Sequence, residues 1–162
     1  MILIEDTRQQ ANKHKIKHDS FEAAGDILHR SKLIVGDYAL PPSVAVDTKQ
    51  DIKEIASNMC GSIESKQRFT RECKKANEIG CKLIFLIEDK RYQTIDDLYG
   101  KKVYMMSGVT IPGDQLALAM ITMANRYNVE FRFCKPEDSA GIIKEILNTG
   151  RNETILGGES NE

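Results

Sequence analysis

The chain of 162 residues has no Cys-x-x-Cys pair, no apolar run of membrane length and no excess of positive charge. Each absence removes a class of function. Cys60, Cys73, Cys81 and Cys134 are scattered, so a zinc site is not expected, and the thiols are expected to be reduced and mostly buried. No stretch approaches the roughly 20 apolar residues of a membrane span. The opening residues reach Glu5 and Asp6 at once, without the basic leader and long apolar core of a secretion signal. A cytoplasmic protein that does not enter a membrane is therefore expected. The length suits one domain able to bury a core without disulfides or a structural metal. The formal net charge of -1 does not advertise a polyanion-binding protein, because phosphate contacts need Lys and Arg.

What the chain does have is Gly36-Asp37-Tyr38 followed, ten residues after Asp37, by Asp47-Thr48-Lys49. Apolar runs over 32–35 and 44–46 flank Pro41 and Pro42, a pattern that predicts a hairpin. Alternate side chains of a strand share a face. Asp47 and Lys49 then point one way, Thr48 points the other, and Asp37 can join the pair from the neighbouring strand. Two carboxylates that converge repel each other unless a cation lies between them, and such oxygen ligands suit Mg2+ or Mn2+. A bound cation of this kind activates water and offsets charge on a phosphate. Lys49 could orient or deprotonate that water, or act as a fixed positive charge. The alternative is a turn at Asp37 and a solvated strand face bearing Asp47 and Lys49.

The order of motifs extends this pattern. Ile2-Leu3-Ile4-Glu5-Asp6-Thr7-Arg8-Gln9 comes first, then Leu33-Ile34-Val35-Gly36-Asp37-Tyr38, then Val46-Asp47-Thr48-Lys49, then Arg68-Phe69. Over residues 1–148 this order resembles the XPF-type nuclease domain, a branch of the PD-(D/E)xK superfamily. Its pattern runs from D-x-R-E through L-x-x-G-D-Y and V-E-R-K-x-x-x-D to an R-F or R-L pair on a helix. The resemblance implies an α/β fold with a restriction-endonuclease-like core, a central mixed β-sheet flanked by helices. It also implies a divalent-metal-dependent endonuclease acting on DNA, at branched, flap or junction structures such as arise in repair and recombination. Asp6 and Arg8 then match residues needed for cleavage, Asp37 a metal ligand, Asp47 the family glutamate, Lys49 the catalytic lysine and Arg68 the helix arginine. The implied metal set is Asp37, Asp47 and Asp6, with Mg2+ or Mn2+. Gln9, Thr48 and Lys53 depart from the pattern, with Asp51 and Glu54 close to position 53. The alternative within the same family is a catalytically inactive module that binds DNA or a partner subunit.

Basic residues for a phosphate backbone are expected at Arg8, Lys66, Arg68 and Arg71, with Lys74, Lys75 and the segment 13–17 nearby. The competing reading is a salt-bridged outer helix with Glu64, Glu72 and Glu78 as partners. For His14 and His18, a turn apart among lysines, a solvated and mobile basic segment is favoured over a metal site.

Ser20 is a good N-cap for a helix over 21–28 that would pack residues 21, 24, 27 and 28 on the sheet. Further helices are predicted from 48 or 50 through 59 and over 63–79, the latter closed by Gly80. Residues 82–88 read as a strand covered on both faces, with Glu88 and Asp89 as its solvated exit. Beyond it come a short helix near 95–98, a strand over 103–106, a helix from Pro112 and Gly113 through 124, a strand over 129–133, and a last helix from Pro136. The apolar surface of the 112–124 helix fits a homodimer or heterodimer seam as well as a central core helix. Residues 149–162 are expected to be a disordered tail.

Overall fold

The structure, a computed structural model, describes residues 2–10, 13–33, 35–40 and 44–156. In chain order its elements are β1 (Ile2–Asp6), α1 (Lys15–Ala23), β2 (Ile27–Ser31), β3 (Tyr38–Leu40), β4 (Val44–Lys49), α2 (Ile52–Cys60) and α3 (Ile63–Glu78). These are followed by β5 (Lys82–Ile87), β6 (Lys102–Tyr104), β7 (Thr110–Pro112), α4 (Gly113–Tyr127), β8 (Val129–Phe133) and α5 (Ser139–Leu156), with 3-10 turns at Ile95–Leu98 and Pro136–Asp138. Six strands form one sheet in the order β2-β1-β3-β4-β5-β8, and β6 pairs with β7 separately. β3 is antiparallel to both its neighbours, while β1–β2, β4–β5 and β5–β8 are parallel. The architecture is α/β, a central mixed sheet flanked by helices, as the sequence predicts.

Two apolar cores follow from the alternation along the strands. Ala45 and Phe85 face Ile52, Ile55, Phe69, Leu116 and Met120 of α2, α3 and α4. Val44, Val46, Ile84 and Leu86 face Phe21 of α1 and Ile143 and Leu147 of α5. Strands β4 and β5 are thus covered on both sides, which is why 83–87 reads as an unbroken apolar run after Lys82. Phe69, Phe85 and Phe131 stack in series, with ring centroids 4.7 and 5.3 Å apart. The caps explain the helix starts. Asp51 accepts from Glu54 N and Ser62 from Ser65 N.

Several expectations need correcting. The first strand of the hairpin is β3, not 32–35; Ile34 and the turn at 41–43 lie outside the described residues. The helix expected over 21–28 lies earlier, at Lys15–Ala23, and ends before Gly25, whose φ of 71° is left-handed. Ile27 and Leu28 belong instead to edge strand β2, paired with Ile2 and Leu3. An apolar pair at that spacing satisfies a helix face and a strand equally, and pairing with β1 decides between them. Strand β7, for which no strand was expected, pairs antiparallel with β6. The last helix, α5, is described to Leu156, and from 157 the segment expected as a tail lies outside the described residues.

Candidate active site

The sheet topology brings the polar strand ends together. β1, β4 and β5 point the same way and β3 runs against them, so Asp6, Lys49 and Glu88 at strand exits share one sheet edge with Asp37 at the entrance to β3. That edge, beyond the carboxyl ends of the parallel strands, is where open α/β sheets hold their ligands.

Asp37 is held by backbone as well as side chain. Gly36 has φ 75°, and a Cβ there would lie 3.0 Å from Ala45 Cβ and 3.1 Å from the Val46 carbonyl oxygen. Only glycine lets the chain pass so close to β4. Asp37 N then donates to Val46 O at 2.8 Å, and its own carbonyl accepts from Asp6 N at 2.7 Å. Its carboxylate accepts from Thr48 N and Thr48 Oγ1 at 2.7 and 2.8 Å, and Gln9 Nε2 donates to its other oxygen.

Asp47 and Lys49 leave β4 on the face toward α2 and α3. Lys49 Nζ lies 2.6 Å from Asp47 Oδ1, and both residues are only 7% exposed. The same ammonium sits 5.5 Å from the centre of the Phe85 ring, a favourable place for a cation. Asp47 Oδ1 meets no donor with hydrogen-bond geometry, so the contact is ionic. Burial, and then the charge of Asp47, push the Asp37 carboxyl up to about 8 despite the Thr48 hydrogen bonds. Burial would lower Lys49, but the charge of Asp47 outweighs it and holds the ammonium well above the ordinary lysine range.

These side chains line a cavity of about 730 Å3 with Gln9, Glu54 and Arg68. Arg68 is the one residue of the expected basic set on α3 that lines it. Lys66 and Arg71 are exposed beside a separate depression on the helix. Asp6 and Arg8 face each other instead. Arg8 N and Nε donate to Asp6 at 3.1 and 2.6 Å, and Arg8 also reaches the Leu33 carbonyl at 3.0 Å. Burial alone would raise Asp6, yet the Arg8 hydrogen bonds and charge prevail and hold it below the usual carboxylate range. Lys53 is exposed, Asp51 caps α2, and Glu54 accepts from Gln50 N at 2.9 Å on the cavity wall.

Three features escaped the sequence reading. Glu72 joins the acidic group: it accepts from Gly36 N at 3.2 Å, and burial followed by the charge of Asp47 raises its carboxyl. A signal existed, because Glu72 falls within the buried stripe Phe69, Cys73 and Ala76 of α3. The segment around His14 is not wholly solvated, since His14 and Lys17 are buried while Lys13, Lys15 and Ile16 are exposed. Nor are Glu88 and Asp89 a solvated strand exit. Both are buried, Glu88 against Lys17 Nζ at 2.7 Å and Asp89 against Arg91 Nη2 at 2.5 Å. Paired charges are the condition under which such residues enter an interior.

No protein-family model matches the chain, and no curated protein matches it. Solved structures do. XPF from Aeropyrum pernix is similar with a TM-score of 0.62 at 17% identity, covering 100% of this chain and 65% of that one. XPF from Aeropyrum pernix in complex with DNA is similar with a TM-score of 0.61 at 16% identity, covering 94% of this chain and 66% of that one. The chain thus spans just under two-thirds of the length of these proteins. At such identity the likeness is one of fold, and the fold is that of an XPF-type nuclease.

Proposed function

We propose that the chain is a divalent-metal-dependent DNA endonuclease, a phosphodiester hydrolase acting at branched, flap or junction structures. One observation carries the reading. Two buried carboxylates, Asp37 and Asp47, line one open cavity, and Lys49 is pinned in the same cavity with its Nζ 2.6 Å from Asp47 Oδ1. Such convergence costs stability unless something offsets it. The branched substrate and a role in repair or recombination come from the resemblance of the motifs.

The residues fit Mg2+ or Mn2+. Among the described residues no group of three or more His, Cys, Asp or Glu forms a metal cage, but Mg2+ is commonly held by one or two carboxylates together with substrate phosphate and water. Asp37 and Asp47 would hold it, both buried carboxylates on the cavity wall, with the Lys49 ammonium as the ionic partner of Asp47 Oδ1. The cation supplies Lewis acidity and an activated water. Asp6, expected as a third ligand, is taken up by Arg8, so its part would be to orient Arg8 toward the phosphate.

Lys49 stays protonated while it faces Asp47 and therefore serves as a fixed positive charge for the phosphoryl oxygens, not as a base. Arg68 on the cavity wall would bind the backbone phosphate, and Lys66 and Arg71 would extend that grip along α3. The products follow from water oxygen bonding to phosphorus while the bond to the leaving oxygen breaks and that oxygen takes up a proton. A pairing of two chains would use α4, where Leu118 and Ile121 stay exposed. No helix among the described residues is long and apolar enough to cross a membrane.

The test is nicking of labelled flap and four-way-junction DNA with Mg2+, Mn2+ or EDTA. Cleavage should need the metal, and Asp47→Ala or Lys49→Met should lower it by about a hundredfold or more. Wild-type protein without metal-dependent cleavage that Asp47→Ala removes refutes the enzyme reading for those substrates. A second reading, an inactive module that binds DNA or a partner subunit, draws on Gln9. Its amide donates to Asp37 in place of a family carboxylate, and Thr48 occupies the other oxygen. Calorimetry separates the two, since the inactive module takes up neither Mg2+ nor Mn2+ yet still binds DNA in a salt-sensitive way.

A further inference from the structure

The cavity has a second wall, built from the other face of the sheet, which the carboxylate site does not use. His14 and Lys17 of the α1 end and Glu88 at the end of β5 line it. Ser139 Oγ, fully buried at the start of α5, donates to Glu88 Oε1 at 2.5 Å. Lys17 Nζ lies 2.7 Å from the same oxygen and 3.3 Å from His14 Nδ1. Each member of this relay is at least nine-tenths buried.

The relay fixes the state of the imidazole. An ammonium only donates, so His14 Nδ1 accepts and the ring proton resides on Nε2. Among the described residues Nε2 has no hydrogen-bond partner. Burial, and then the charge of Lys17, lower the His14 imidazole to about 4, so the ring is neutral near pH 7. Stability alone does not explain the arrangement, because apolar residues of similar volume would fill the same space at no greater cost than a buried ion pair. What the relay does provide is an oriented, uncharged imidazole on a residue that lines the cavity whose other wall carries Asp47 and Lys49.

We propose that His14 Nε2 is a phosphate-positioning donor for a nucleic acid strand crossing the cavity, with Lys17, Glu88 and Ser139 holding the ring. The proposal rests on the nuclease reading above. A neutral donor binds a phosphoryl oxygen without adding a cation beside Lys49. It also releases no counterion on binding, so its loss has a signature distinct from that of Arg or Lys.

The experiment is fluorescence anisotropy of a labelled flap DNA in EDTA, where no cleavage occurs, across a range of salt concentrations. His14→Phe keeps the ring and removes the donor; it should weaken binding about tenfold with the salt slope unchanged. Arg68→Ala should reduce the slope by about one. His14→Gln, whose amide can donate, should recover most of the affinity, and Lys17→Met, which frees the ring, should resemble His14→Phe. Thermal melts establish that the variants fold, and should His14→Phe not fold, His14→Gln against Lys17→Met decides. Wild-type affinity in His14→Phe, or no advantage of His14→Gln, overturns the proposal, as does a reduced salt slope, which would make His14 a cationic contact. Wild-type protein that does not bind the flap overturns the nucleic-acid reading and this proposal together.

Discussion

Asp37 and His14 impose opposite pH dependences on stability, and their balance can be worked out. The Asp37 carboxyl moves from its ordinary 3.8 to about 8 in the folded chain. Above 3.8 the folded state keeps a proton that the unfolded state has released, so stability falls as pH rises through about 8. His14 moves from 6.5 to about 4. There the unfolded state holds the extra proton, so stability rises with pH over that interval and is fully present above 6.5. Between about 4 and 6.5 the two slopes cancel. From 6.5 to about 8 only the fall due to Asp37 remains, and at about 1.4 kcal/mol per pH unit it amounts to about 2 kcal/mol. Glu72, raised by burial and by Asp47, acts in the same direction. Urea denaturation in EDTA should therefore show a midpoint that drops by about 1 M across this window. Mg2+ should flatten the drop, because it binds the ionised carboxylates. Asp37→Asn should flatten it without metal. A wild-type midpoint that is level from pH 6.5 to 8, or an Asp37→Asn protein that declines as steeply, refutes the reasoning.

Other outcomes follow from single contacts. In Asp37→Asn the opposing slope is gone, so the fall due to His14 should be uncovered as pH drops from 6.5 toward 4; solvent reaching the ring through the cavity holds it to about 2 kcal/mol, read from denaturation curves. Gly36→Ala forces a Cβ to 3.0 Å from Ala45 Cβ at a left-handed φ, which should cost about 1–3 kcal/mol and lower cleavage through a displaced Asp37. Arg8→Ala leaves Asp6 with its burial but without its donors, so the Asp6 carboxyl, followed by NMR titration, should titrate higher than in the wild type.

Much of the fold was legible because its signals are local. The apolar run 83–87 has the length of a covered strand and the buried stripe Ala140, Ile143, Ile146 and Leu147 of α5 repeats at the helix period, and each proved to be the element its pattern indicates. Tyr38 and Asp37 were legible beside Gly36 because a left-handed glycine marks a turn. Ile27 and Leu28 were not, because their spacing fits two periods and only pairing with β1 chooses one. Glu72, Glu88, His14 and Lys17 were missed for a related reason. Charged residues read as surface when their partners lie far off in the chain, and Glu88 meets Ser139 across fifty-one positions.

The sequence by itself determined the types of the main elements, the order of the motifs and the presence of two aspartates and a lysine with the chemistry of a metal-dependent site. The tertiary structure decided which of these groups meet. The antiparallel β3 brings Asp37 to the exits of β4 and β5, where Asp47 and Lys49 face each other under low exposure. It also put Asp6 on Arg8, drew Glu72 into the acidic group and buried His14 behind Lys17. Periodicity acts within a few residues, whereas ionisation and pairing depend on burial and on charges brought close by the sheet.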